Sequence, residues 1–113
     1  MALVKMKQLL QQAKEENRGC GAFSVGNMEM IKGAVKAAEE MNTPIILQIA
    51  EVRLQHSPLH LMGPMMVQAA KEAKVDVAVH LDHGLTLETV KKALELGFTS
   101  VMLDLPEIRL RKI

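Results

Sequence analysis

Tryptophan and tyrosine are absent, and Phe23 and Phe98 are the only aromatic residues among 113. A chain so poor in rings has no stacking platform for nucleic-acid bases. Its core must be built from Leu, Ile, Val, Met and Ala, and nine methionines supply adaptable but weakly specifying packing. Cys20 is the single cysteine, which excludes an internal disulfide framework and fits a reducing compartment. With a net charge of +1, there is no bulk attraction to nucleic acid or to an anionic membrane. No apolar run reaches membrane-spanning length. The opening stretch MALVKMKQLLQQAKEEN turns polar too early for a secretory leader, so the chain reads as cytoplasmic. What remains is ordinary for a globular domain. Hydrophobic residues make up 49%, enough apolar surface to offset chain entropy and argue against disorder.

The apolar pattern alternates between two periods. Leu3, Met6, Leu9, Leu10 and Ala13 recur at helical spacing, and Arg18-Gly19 predicts the end of that helix. GCGAFSV reads as a strand. Asn27 is a fair helix cap, followed by Met28, Ile31, Val35, Ala38 and Met41 on one face. Asn42-Thr43-Pro44 breaks the pattern, and PIILQIA is a second strand. Ser57-Pro58 and Gly63-Pro64 punctuate the next stretch. Proline is tolerated in a first turn, so a helix from about Pro64 to Ala73 is predicted. VDVAVHLD is a third strand. Thr86 caps a helix using Leu87, Val90, Ala93 and Leu94, closed by Gly97, and FTSVMLD is a fourth strand. Strands alternating with helices of this length predict parallel βαβ units in an α/β fold.

Chemistry concentrates on the third strand. In Val77-Ala78-Val79-His80-Leu81-Asp82-His83-Gly84, alternation sends Val77, Val79 and Leu81 to one face and Ala78, His80 and Asp82 to the other. The first face suits helix packing, the second the inside of a barrel. Polarity rises toward the C-terminal end, where parallel α/β proteins bind ligands. His83 sits at the tip, and Gly84 is expected to free the backbone to turn. Neutral imidazole is a common zinc ligand, and an adjacent carboxylate can move protons beside a metal. Read alone, the same tetrapeptide is open to a plainer meaning: a histidine satisfied by a carboxylate, plus a strand-end cap. Asp104 closes the fourth strand and, taken singly, reads as a solvated loop residue.

GAFSVGNMEMIKGAVKAAEEMNTPIIL, VAVHLDHG and LELGFTSVMLD together resemble, in order and spacing, the class II fructose- and tagatose-bisphosphate aldolases. The resemblance covers roughly residues 1–104. It implies a TIM (β/α)8 barrel, represented here by about its first four strands. It also implies a zinc-dependent lyase, a phosphorylated sugar substrate, a homo-oligomer and a possible second divalent or monovalent cation. By resemblance His83 is a zinc ligand and Asp82 the general acid/base at the aldehyde oxygen. Asp104 matches a carboxylate near an alternative metal position, and His80 orients Asp82 or a ligand.

The chain departs from that family at three places. Ala50-Glu51-Val52 replaces a loop built around Ser, an acidic residue and Gly, which leaves sugar specificity open. Ser24 stands where many relatives carry Asn. Residues 105–113, with Arg109, Arg111 and Lys112 against Glu107, form a divergent basic tail. A TIM barrel takes about 250 residues, so four units are expected to lack further zinc histidines and phosphate loops, and to leave two sheet edges and an apolar inner face uncovered. Two rival readings follow. One is a truncated, non-catalytic half-barrel that oligomerises, regulates or is an inactive product. The other is a small doubly wound domain holding Mg²⁺ through Asp82 and Asp104.

Cys20 reads as a small buried residue rather than a nucleophile. His56 and His60 stand four residues apart, but Pro58 between them argues for a loop rather than a metal-binding helix face. The cluster Met62, Met65, Met66 reads as core or as a surface missing its partner rather than as a cofactor box.

Overall fold

The computed structural model describes residues 3–104, so the basic tail 105–113 lies outside the described residues. Four strands, β1 (Ala22–Ser24), β2 (Ile45–Ala50), β3 (Val77–Gly84) and β4 (Ser100–Leu103), form one sheet in the order β1-β2-β3-β4. Every pairing is parallel. Helices α2 (Met28–Glu40), α3 (Leu59–Glu72) and α4 (Leu87–Glu95) make the three crossovers, and α1 (Met6–Glu15) precedes the sheet.

The two faces of the sheet are covered differently. Leu47, Ile49, Val77, Val79 and Leu81 point outward and pack under Ile31, Met66, Ala70, Val90 and Ala93 of the crossover helices. Each fully buried branched side chain there contributes about 1.5–3 kcal/mol. On the inner face, Leu9 of α1 packs against Ile46 and Ala78, with Val4, Met6 and Cys20 at the margin. The expectation of an uncovered apolar inner face is therefore corrected at its N-terminal end, where α1 covers it. Leu3 forms a parallel bridge to Val77, and its side chain packs against the outer core. The edge strands are more open: β1 is exposed throughout, with Phe23 at 48%, and Met102 and Leu103 of β4 are also exposed.

Helix ends follow local chemistry. The side chains of Asn27 and Thr86 cap α2 and α4 by accepting the Met30 and Thr89 amides, as predicted. Three helices end with a left-handed residue, Asn17, Asn42 or Gly97. In each case the next amide reaches back to the helix: Arg18 to Ala13, Thr43 to Ala38 and Phe98 to Ala93. The first helix is thus closed by Asn17, not by Gly19. Asparagine takes the left-handed region more readily than most side chains do.

The third helix begins earlier than predicted. It starts at Leu59 and carries Pro64 inside it. Proline there cannot pair with the carbonyl of His60, but both residues lie on the exposed face, where water can replace the missing donor. Met62, Met66, Val67 and Ala70 face the core, as read for the methionine cluster. His56 ends a short 3-10 turn spanning Glu51–Gln55, and His60 lies beyond Pro58 in α3, so the two do not share a helix face.

Candidate active site

The C-terminal ends of β2, β3 and β4 bring the polar residues together. Ala50 is the Cα partner of Asp82, and Gln48 of His80. Between Leu81 and Gly84 the register with β4 slips, because three steps along β3 match two along β4. Such a bulge re-aims a side chain. Strict alternation would send His83 to the outer face; the bulge brings it to the mouth beside Asp82. The left-handed residue here is His83, at φ 46. That corrects the expectation that Gly84 makes the turn. A non-glycine residue held there costs on the order of 1–3 kcal/mol. Gly84 is required for a different reason: a Cβ on it would lie 2.6 Å from the Met102 carbonyl oxygen.

Asp82 lies between two imidazoles. Its Oδ1 is 3.6 Å from Nε2 of His80, and its Oδ2 is 3.7 Å from Nε2 of His83. The side-chain amide of Gln48 donates to Oδ2 at 3.5 Å and to Ser24 Oγ at 3.1 Å. His83 is then fixed from the far side, with Nδ1 2.8 Å from Asp104 Oδ2. A carboxylate only accepts, so Nδ1 carries the hydrogen and Nε2 keeps a lone pair. The Asp104 hydrogen bond, reinforced by the charges of Asp82 and Asp104, raises the His83 pKa above its ordinary 6.5.

His80 has the opposite environment. It is buried, with Nδ1 2.8 Å from Ser100 Oγ, whose hydroxyl reaches Met6 Sδ at 3.7 Å. Burial lowers its pKa, and the nearby Asp82 only partly opposes this. The two histidines flanking one carboxylate are therefore pushed in opposite directions. Cys20 is remote from this chemistry. Burial pushes its thiol up, away from nucleophilic use.

The four predicted site residues, His80, Asp82, His83 and Asp104, thus converge on one mouth. Sequence reasoning missed two neighbours. Gln48 was signalled by a lone polar residue inside the apolar run PIILQIA. Glu51, noted only within a divergent loop, reaches across to the residues that follow His83.

A catalytic zinc takes three protein ligands and an open position. Among the described residues, no three His, Cys, Asp or Glu side chains are grouped to hold a metal ion. The mouth fits one corner of such a site, through Nε2 of His83 with its tautomer set by Asp104, and does not supply the whole donor set. Among the described residues, no helix is long and apolar enough to cross a membrane.

Comparison with known proteins agrees with the parallel α/β architecture. The family model described as fructose-bisphosphate aldolase class-II matches residues 4–112. A fructose-bisphosphate aldolase of Thermus caldophilus is 47% identical over 102 residues, covering 90% of this chain and 33% of that protein. A sulfofructosephosphate aldolase of Alkalicoccus urumqiensis is 42% identical over 104 residues, covering 92% and 36%. The crystal structure of the YdjI aldolase from Escherichia coli K12 superposes with a TM-score of 0.84 at 30% identity, covering 88% of this chain and 39% of that one. The chain spans about a third of the length of the curated relatives it matches. Four parallel strands joined by three crossover helices are the half-barrel expected from the sequence. With the strand-end residues in place and the match running over most of its length, the chain belongs to the class II fructose-bisphosphate aldolase family.

Proposed function

We propose that residues 1–104 form the N-terminal half of a ketose-bisphosphate aldolase barrel, followed by a divergent tail, and supply the proton-transfer machinery and one metal ligand of its active site. The complete enzyme in this reading reversibly cleaves a ketose 1,6-bisphosphate to dihydroxyacetone phosphate and glyceraldehyde 3-phosphate. Zinc would contribute Lewis-acid polarisation of the ketone. The chain's own residues handle the proton. Asp82 removes the hydrogen from the hydroxyl that becomes the aldehyde oxygen as the adjacent carbon–carbon bond breaks. The electron pair of that bond stays with the dihydroxyacetone phosphate half, whose carbon then takes up a proton to complete that product. In condensation Asp82 returns the proton. His80 stands within 3.6 Å of the same carboxylate and orients it. Gln48 steadies the other oxygen.

The observation that carries this reading is the arrangement of His83: Asp104 holds its Nδ1 at 2.8 Å, so Nε2 is presented beside Asp82. The same observation gives Asp104 an orienting role in addition to the metal-site role that the resemblance implies. Assembly into a homo-oligomer is part of the proposal and is read by sedimentation.

A chimera tests the assignment. Residues 4–104 replace the matching segment of the Thermus relative, and fructose 1,6-bisphosphate cleavage is followed with zinc content. The chimera is expected to turn over. His83→Ala should lose zinc and activity together, while Asp82→Asn should keep zinc and lose turnover. A folded His83→Ala chimera with parental zinc and rate would falsify the site assignment.

A second reading, a half-barrel with no catalysis of its own, draws support from the incomplete donor set among the described residues. It predicts that the 113-residue chain cleaves nothing, even in excess zinc. Zinc-dependent cleavage by the purified chain would rule it out.

A further inference from the structure

Glu51 follows Ala50 at the end of β2, level with Asp82 across the sheet. Its carboxylate reaches over the mouth to the segment after β3. Oε1 accepts the backbone amides of Leu85 at 2.6 Å and Thr86 at 3.2 Å. Oε2 accepts the Thr89 hydroxyl at 3.0 Å and lies 3.4 Å from that of Thr86. The Thr86 hydroxyl has one proton and a nearer partner in Thr89 Oγ1 at 2.9 Å, so the two threonines form a short relay that ends on Glu51. These groups surround the N-terminal turn of α4, where free amides and the helix dipole favour a carboxylate.

The location gives the clamp a meaning beyond helix capping. Only Gly84 separates Leu85 from His83, which sits at the bulge with φ 46. On the β4 side the segment is held by the Asp104 amide, which donates to the Gly84 carbonyl at 2.8 Å, and by the Asp104 side chain on His83. On the β2 side it is held by Glu51. Asp104, just after β4, thus holds His83 and Gly84, and Glu51, just after β2, holds Leu85 and Thr86, so the segment is pinned from both flanks.

We infer that Glu51 is a positioning residue for the reacting mouth: it fixes the Leu85–Thr86 backbone and so holds the bulge at which Asp82 and His83 face one another. The inference rests on the proposed roles of Asp82 and His83. Alanine at 51 removes every contact. Glutamine keeps one carbonyl oxygen for the two amides and should recover most of the function.

The test uses Glu51→Ala, Glu51→Gln and a control, Glu88→Ala, which removes an exposed partner of Lys92 on α4. In the full chain, NMR reads amide exchange at Leu85 and Thr86 and the His83 Nδ1–H resonance. Glu51→Ala should speed exchange at both amides by about tenfold or more relative to Val79 and should erase the resonance. Glu51→Gln should stay near the parent, and the control should match it.

In the chimera, Glu51→Ala should lower kcat by about 10- to 100-fold with KM within about threefold, and weaken zinc affinity in chelator competition to a similar extent. Should Glu51→Ala not fold, Thr89→Val, which removes one donor, is expected to lower kcat by about three- to tenfold at unchanged KM; a parental kcat in that variant overturns the inference. A lower melting temperature without any change in kcat or the His83 resonance would mean a capping role only, and also overturns it. The two levels separate cleanly. If His83→Ala keeps zinc and turnover, the site assignment on which this inference rests fails. If His83→Ala loses both while Glu51→Ala loses neither, only the positioning role fails.

Discussion

The Nδ1–H of His83 and the Oδ2 of Asp104 meet at 2.8 Å, joining the end of β3 to the end of β4 across 21 positions of sequence. In the neutral ring this contact leaves Nε2 free, and it raises the pKa at which the ring takes a second proton.

Removing Asp104 should therefore lower the His83 pKa toward the ordinary 6.5. Because the folded value is raised, the contribution of this pair to stability is present below the unfolded pKa and is lost as pH rises through the folded one. NMR titration of the ring in Asp104→Ala measures the shift. An unchanged His83 titration would mean that the contact is not populated in solution.

His80 should behave in the opposite sense. Its folded pKa is depressed by burial, so between that value and 6.5 the unfolded chain binds more protons than the folded one. Stability should fall as the pH drops below about 6.5, and should level off below the folded value. Urea midpoints between pH 7 and pH 5, compared with those of His80→Gln, read the effect. The variant should show a shallower slope in that window.

Gly84→Ala should destabilise the β3–β4 junction. The new methyl would lie 2.6 Å from the Met102 carbonyl oxygen and 3.3 Å from Leu81 and Val90 side-chain carbons. Backbone does not yield as a flexible side chain does, so a loss of about 1–3 kcal/mol is expected. Denaturant unfolding measures it, and a neutral result would show that the strands separate freely there.

Leu47→Ala should remove more. Leu47 is fully buried on β2 within the outer core, where a leucine cavity costs about 2–5 kcal/mol. Asn27→Ala gives a milder comparison, about 0.5–2 kcal/mol for the lost Met30 cap. An inverted order of the two urea midpoints would contradict the packing described.

The alternating periods made the parallel βα order legible, and the asymmetry of VAVHLDHG pointed to the strand end where His80, Asp82, His83 and Asp104 lie close together. Strand and helix identities follow from local spacing, which a single sequence carries. Three features did not follow. Pro64 reads as a helix start because proline is at home there, yet burial of Met62, Met66 and Val67 outweighs one missing hydrogen bond. Asn17 displaced Gly19 as the helix stop because asparagine also takes positive φ. The bulge at Asp82-His83 depends on how β4 pairs with β3, a long-range relation that no spacing within the third strand encodes. Glu51 was hidden for the same reason, since its partners lie 34 to 38 positions away.

Helix α1 is made first but depends on the strands that follow it. Leu9 rests on Ile46 and Ala78, Leu3 bridges to Val77, and Met6 accepts the hydroxyl of Ser100 across 94 positions. During synthesis, therefore, the apolar side of this helix leaves the ribosome without its seat and must wait until the third and fourth strands are paired. Closing such a long loop carries an entropic cost, so until those strands pair the apolar side of α1 lacks the partners it has in the folded chain.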